Sequence, residues 1–376
     1  MRFPRVSLSL RGMAVAGMAF ALGLAGQPGR ACAREALHTA WTSQRVLNAV
    51  AVADDGRMFV SFPYWGGGGG GGPSVAEVDA QGIPHAFPDV RWNHMDGTKG
   101  DMQPFVRVNA LRIGPDGLLW VVDSGDANVG GPPNPMGGAP ARLLAFDITT
   151  GQPVHVISLR ASSTEHSYID DIRFHNDTIF VTDAGDPALI VVNQRTGQQR
   201  RVLAHDRSTT DERPMYAEGH LLTTGGHPAR VHADQLEVSP DGSKLYFQPS
   251  SGPLWVAPTA ALENPDLPAP DLARTVKLFY NTPTTGGTAI DGDGNLYVSD
   301  VNRLRILRLT PQGRATTLVR DRRLVWADAM WIDNHGTLWI PAVQLNRTAS
   351  FQPDGKSRLR LPVAIYTMDL HLRPVR

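Results

Sequence analysis

The chain has 376 residues, with 36 Lys plus Arg balanced by 36 Asp plus Glu and a single cysteine. A net charge of zero excludes a global field that would recruit nucleic acid or an anionic membrane surface. One cysteine, Cys32, excludes a disulfide framework within the chain, so stability must come from burial.

In chain order, Arg2, Arg5 and Arg11 precede an apolar run at 13–25, and Ala31, Cys32 and Ala33 supply small residues where a signal peptidase cuts. The run is short for a membrane span. Residues 1–33 are therefore expected to be a cleaved signal peptide, and 34–376 a single domain that is periplasmic or secreted, monomeric, and free of membrane and nucleic-acid partners.

The rest of the chain repeats one hairpin six times: polar, alternating apolar, a turn, then an apolar strand carrying an aromatic. The copies read NAVAV-ADDG-RMFVS from Asn48, NALRI-GPDG-LLWVVD from Asn109, DDIRF-HND-TIFVTD from Asp170, DQLEV-SPDG-SKLYFQ from Asp234, GGTAI-DGDG-NLYVSD from Gly286 and DAMWI-DNHG-TLWIP from Asp328. The aromatics are Phe59, Trp120, Phe180, Tyr246, Tyr297 and Trp339. Period-two alternation with Gly-containing turns predicts antiparallel hairpins. A second hairpin follows most copies, at VAEVDAQG, LLAFDITTG, LIVVNQRTG and ILRLTPQG. Two hairpins per unit, repeated every ~40–65 residues, predict an all-β six-bladed β-propeller of four-stranded antiparallel blades. The sixth unit is short of strands, so the segment around Ala40, Trp41 and Thr42 is expected to complete it.

Turns within hairpins are tight, whereas the connections at 63–73, 124–140 and 204–231 are long, which places function on the long-loop face. The seven-glycine run Gly66–Gly72 has no Lys-Ser/Thr sequel and no helix after it, so it is a flexible lid segment and not a phosphate loop. His220, His227 and His232 lack a zinc-like spacing and read as solvated loop residues. Asn176 and Asn346 begin glycosylation sequons.

In register, Asn48, Asn109, Asp170, Asp234, Gly286 and Asp328 begin the innermost strands, and the pseudo-symmetry of a propeller gathers them at one mouth of the channel. Three carboxylates and two amides held together repel unless a cation, a proton or a cationic ligand sits among them. Asn109, Asp170, Asp234 and Asp328 are the candidate metal ligands, and their oxygen-only donor set suits Ca²⁺ or Mg²⁺ and not zinc. Asp123, Asp183 and Asp300 form a second tier. Together with Asn48 and the aromatic walls Trp65, Trp92 and Trp326, they are the candidate ligand-binding residues. An aromatic wall above carboxylates favours amines.

Several segments resemble the yellow/major royal jelly protein family: LLWVVDSG with ARLLAFDITTG, IDDIRFHNDTIFVTDAGDPALIVVN, DQLEVSPDGSKLYFQPSSGPLW, GGTAIDGDGNLYVSD and WADAMWIDNHGTLWIPAVQL. The resemblance implies a six-bladed propeller related to the regucalcin/gluconolactonase superfamily, in a family associated with dopachrome conversion, nutritive secretion and biogenic-amine binding. In the metal-dependent lactonases of that superfamily a Glu, two amide-bearing residues and an Asp hold one cation. By register Asn109, Asp170 and Asp328 match such ligands, Asn48 stands where the Glu belongs, and Asp234 could supply the missing charge. Three functions follow as expectations: an exported small-molecule-binding propeller with an acidic channel-mouth site, a divalent-metal-dependent lactonase or esterase, or a tautomerase-like enzyme acting on oxidised catechols. No catalytic residue is assigned.

Overall fold

A computed structural model describes Met1 and residues 37–63, 71–93, 104–125 and 140–375. The six repeats form six four-stranded antiparallel sheets. Their innermost strands are Val50–Val52, Val108–Ile113, Ile169–His175, Ala233–Val238, Thr288–Ile290 and Trp331–Ile332. Each is followed by the aromatic-bearing second strand, and the order in blades 1 to 5 runs outward in sequence. Blade 6 departs from this in the expected way. Its fourth strand is His38–Ser43, paired antiparallel with Val363–Asp369, so the two ends of the domain meet in one sheet and close the ring.

The core lies between blades. Phe59 clusters with Leu111, Val121 and Phe146 of blade 2, and Trp120 with Ile172 and Val181 of blade 3. Phe180 meets Leu236 and Phe247, Tyr246 meets Ile290 and Val298, Tyr297 meets Leu338 and Ile340, and Trp339 packs on Val50 and Val60. The recurring aromatic is therefore the wedge between each blade and the next, and each such burial contributes about 1.5–3 kcal/mol. Three wedges are also tethered to their own hairpin turns: Trp120 Nε1 donates to Asp116 (3.1 Å), Tyr297 OH to Asp291 (2.9 Å) and Trp339 Nε1 to Asp333 (2.8 Å). A buried aromatic with a polar tip needs such an acceptor.

Perfect alternation would send neighbouring residues of an innermost strand to opposite faces. In blades 2, 3 and 4 the register slips at the ring position. Val108 faces Asp123 but Leu111 faces Val121, Ile169 faces Asp183 but Ile172 faces Val181, and Ala233 faces Pro249 but Gln235 faces Gln248. Each slip is a β-bulge, which inserts one extra residue and re-aims side chains. The bulged residues include Asn109, Asp170 and Asp234.

Candidate functional site

The six strand starts line one cavity of about 310 Å³: Asn48, Asn109, Asp170, Asp234, Gly286 and Asp328. Its walls add Tyr168, Ser250 and Trp326. Its roof comes from residues 224–231 of the long 204–231 connection and from Leu345, Thr348, Ser350 and Phe351. The ring is stitched by hydrogen bonds running from blade to blade. Asn48 Nδ2 donates to the Asn109 carbonyl (3.2 Å), Asn109 Nδ2 to the Asp170 carbonyl (3.2 Å), Thr182 Oγ1 to the Asp234 carbonyl (2.8 Å) and Gln235 Nε2 to the Gly286 carbonyl (3.2 Å). Each satisfies a backbone acceptor on the innermost edge of a blade, where no further strand pairs.

The carboxyl groups are supplied with neutral donors. Asp170 Oδ1 accepts from Asn109 Nδ2 (2.9 Å), Asp234 from the Ser250 hydroxyl, and Asp328 from Trp326 Nε1 (3.0 Å) and the Ala329 amide (2.9 Å). Among the described residues, no Lys, Arg or His forms an ion pair with any of the three. Arg230 lines the cavity, yet its guanidinium turns to Asp211 (3.4 Å). Burial pushes Asp170 well above the usual carboxylate range, with Asp234 and Asp171 adding to the effect. Burial raises Asp234 and Asp328 in the same way, reinforced by Asp328 and Asp170 respectively. A group that binds its proton more tightly when folded favours folding at low pH, and loses that contribution as pH rises through its raised pKa. Asn48 Oδ1 is buried at the cavity and has no partner.

The ring is expected to hold a divalent cation or an organic amine, and the orientation of Asn109 bears on the choice. Asn109 points its amide nitrogen at Asp170, while its oxygen accepts from Tyr168 OH (2.9 Å). Flipping the amide to offer oxygen to a shared cation would break both of its donations to Asp170, while the Tyr168 hydroxyl could turn to accept from the amide. Among the described residues no three His, Cys, Asp or Glu side chains are gathered as a metal-holding group.

The second tier does not reach the cavity. Asp123 is fully buried, accepts from the Val106 and Arg107 amides, and pairs with Arg142 (2.9 Å). Asp183 pairs with Arg201 (2.7 Å) and Asp300 with Arg305 (2.8 Å). These three bind the ends of second strands to outer strands, which is an architectural use. Trp92 is likewise placed elsewhere, buried between Phe105 and Phe146 in the wedge of blades 1 and 2. Trp326 does wall the cavity, and Trp65 lies outside the described residues. Tyr168, Ser250, Leu345 and Phe351 belong to the site but carry no repeated pattern that would have marked them. Asn346, the second sequon, is buried and donates to Glu218 (2.9 Å).

The roof is clasped. Glu218, at the turn between Tyr216–Ala217 and His220–Leu221, receives both Arg347 Nε (2.9 Å) and a terminal Arg347 nitrogen (2.6 Å). Burial raises the Glu218 pKa, but the Arg347 and Asn346 hydrogen bonds outweigh it and leave the group depressed. Its contribution is therefore present at neutral pH and lost as pH falls through the depressed value. Glu218→Gln should cost about 1–2 kcal/mol in urea unfolding at neutral pH. The difference from wild type should vanish in acid, and an equal difference in acid would assign the effect to packing.

A family model described as "Major royal jelly protein" matches residues 106–364. No curated protein matches the sequence. Among solved structures, a gluconolactonase from Xanthomonas campestris is 14% identical, with 89% of each chain covered and a TM-score of 0.55. A luciferin-regenerating enzyme is 12% identical over 90% of this chain and 97% of that one, also with a TM-score of 0.55. At such identities the likeness is one of fold.

Proposed function

This chain belongs to the major royal jelly protein family, and from that premise we propose that its axial cavity binds a small organic cation, an amine carried on an aromatic or apolar body. The supporting observation is a set of three carboxyl groups at one cavity, Asp328 buried and Asp170 and Asp234 half-buried, with neutral donors and, among the described residues, no basic partner. Each carboxyl keeps unused acceptor capacity, and Asn48 Oδ1 offers one more oxygen. An ammonium group brings three donors and the charge that would let the carboxyls ionise. Trp326, Phe351 and Tyr168 supply a wall suited to the ligand's body, and about 310 Å³ matches the lower end of small-molecule pockets.

A divalent-metal lactonase remains the second reading, because Asn48, Asp170 and Asp328 present oxygens to one cavity and a fold neighbour is a gluconolactonase. The orientation of Asn109 argues against it.

Melting experiments separate the two. A ligand bound only by the folded state raises the melting temperature by mass action. Phenethylamine should raise it, phenethyl alcohol should not, and EDTA should leave it unchanged. A fall with EDTA, reversed by Ca²⁺, would favour the metal site instead. The same proposal places the mature protein in the periplasm or outside the cell, so that natural material begins near Arg34. Recovery of intact Met1 would count against export.

A further inference from the structure

A second cavity of about 470 Å³ opens where the innermost strands end, at the other mouth of the channel. Its walls are apolar, from Val52, Ile113, Phe174, Ile290 and Ile332, and its polar floor is a buried charge network. The pairing in that network is unequal. Arg173 takes the close contacts, reaching Asp171 at 2.6 Å and Glu237 at 2.7 and 2.8 Å. Thr288 Oγ1 also donates to Glu237 (2.9 Å), and the Ile172 amide to Asp171 (2.7 Å). Both carboxylates are thereby supplied with donors.

Arg112 is the more loosely held of the two cations. Its nearest carboxylate oxygen is 3.8 Å away on Asp171, and its Nε is buried with no partner. Burial, helped by Arg173, pushes the Arg112 pKa down to about 10. The guanidinium lies 5.3 Å from the ring centre of Trp331, whose Nε1 is also buried without an acceptor. Trp120, Trp326 and Trp339 each donate to an aspartate, whereas Trp331, like Trp255, keeps a buried N–H without an acceptor. The Arg112 Nε and the Trp331 indole N–H, both without acceptors, on a loosely paired guanidinium and an adjacent ring in a largely apolar cavity, are the complement of a carboxylate on an apolar body. Asp54 and Asp55 also line this mouth, but they are exposed and screened by solvent.

We propose that this second mouth binds an organic monocarboxylate, with its carboxylate on Arg112 and Trp331 and its apolar body against the strand ends. The site is distinct from the axial acidic cavity and does not depend on the reading given to it.

Naphthoate is a suitable probe, titrated calorimetrically into the full chain, with naphthylmethanol as its uncharged counterpart. Saturable naphthoate binding is expected, with naphthylmethanol at least tenfold weaker and phenethylamine unable to compete. Arg112→Met should weaken naphthoate at least tenfold. Trp331→Phe keeps the ring but removes the N–H donor, and should weaken binding several-fold. If Arg112→Met does not fold, Trp331→Phe alone decides. Absence of saturable binding, equal binding of the alcohol, displacement by phenethylamine, or unchanged affinity in the folded variants would each overturn the site.

Discussion

Arg173→Met is expected to destabilise the protein by about 3–5 kcal/mol, the cost of removing one partner from a buried ion pair. The Arg173 side chain is only 8% exposed and holds Asp171 and Glu237 from two different blades. Methionine keeps much of the length and leaves two carboxylates facing a low-dielectric channel with only the more distant Arg112 nearby. For a chain of this size the melting temperature should fall by on the order of 10 °C. Adding Glu237→Gln to Arg173→Met should recover part of the loss, because one uncompensated charge is removed with its partner. Urea unfolding of the wild type, both single variants and the double variant would measure this as a cycle. A loss within about 1 kcal/mol would mean that water reaches the network and screens it.

The architecture was legible because a propeller writes its blades into the sequence six times. The aromatic at the second strand recurs because every blade needs the same wedge against the next, and Phe59 through Trp339 occupy that place. The ring was legible for a related reason: five polar residues stood at one repeated position. The second tier misled because Asp123, Asp183 and Asp300 also recur. Periodicity marks a structural requirement and a functional one alike, and only the arrival of Arg142, Arg201 and Arg305 from other strands separates them. Arg142 and Arg305 both open the third strand of their blades, opposite the aspartate, but Arg201 comes from a fourth strand, so the pairing does not repeat at one position throughout. Trp92 was assigned to the wrong surface because its neighbours Phe105 and Phe146 are distant in sequence. The bulges at Asn109, Asp170 and Asp234 were also invisible, since a bulge depends on the partner strand as much as on its own residues. The roof residues Leu345 and Phe351 occur once each, in a segment specific to one blade.

Asp170→Asn and Asp234→Asn should act in opposite directions on stability and on binding. Asp170 accepts from Asn109 and Asp234 from Ser250, contacts that an amide oxygen can keep, and the two acids also hydrogen-bond to each other, a contact in which an amide can donate. Asp328 accepts on both oxygens and would lose one bond on conversion to Asn, which makes it the poorer variant for this purpose. Without ligand at neutral pH, the wild type must either hold protons in the cavity or ionise groups that burial and their neighbours disfavour. Replacing one acid by an amide relieves that cost. Each variant should gain on the order of 1 kcal/mol, or about 2–4 °C, and the gain should shrink as pH falls towards the ordinary range of Asp. Stability gained at the expense of function is the usual signature of a binding site.

The acidic cavity as a cation site is tested most directly by calorimetric titration of phenethylamine into the wild type and the Asp170→Asn and Asp234→Asn variants. The wild type should bind saturably, more tightly as pH rises through the raised range of the ring carboxyls, and each variant should bind ten- to a hundredfold more weakly, a loss of about 1.4–2.7 kcal/mol. Equal affinity in wild type and variants, or affinity indifferent to pH across that range, would contradict it.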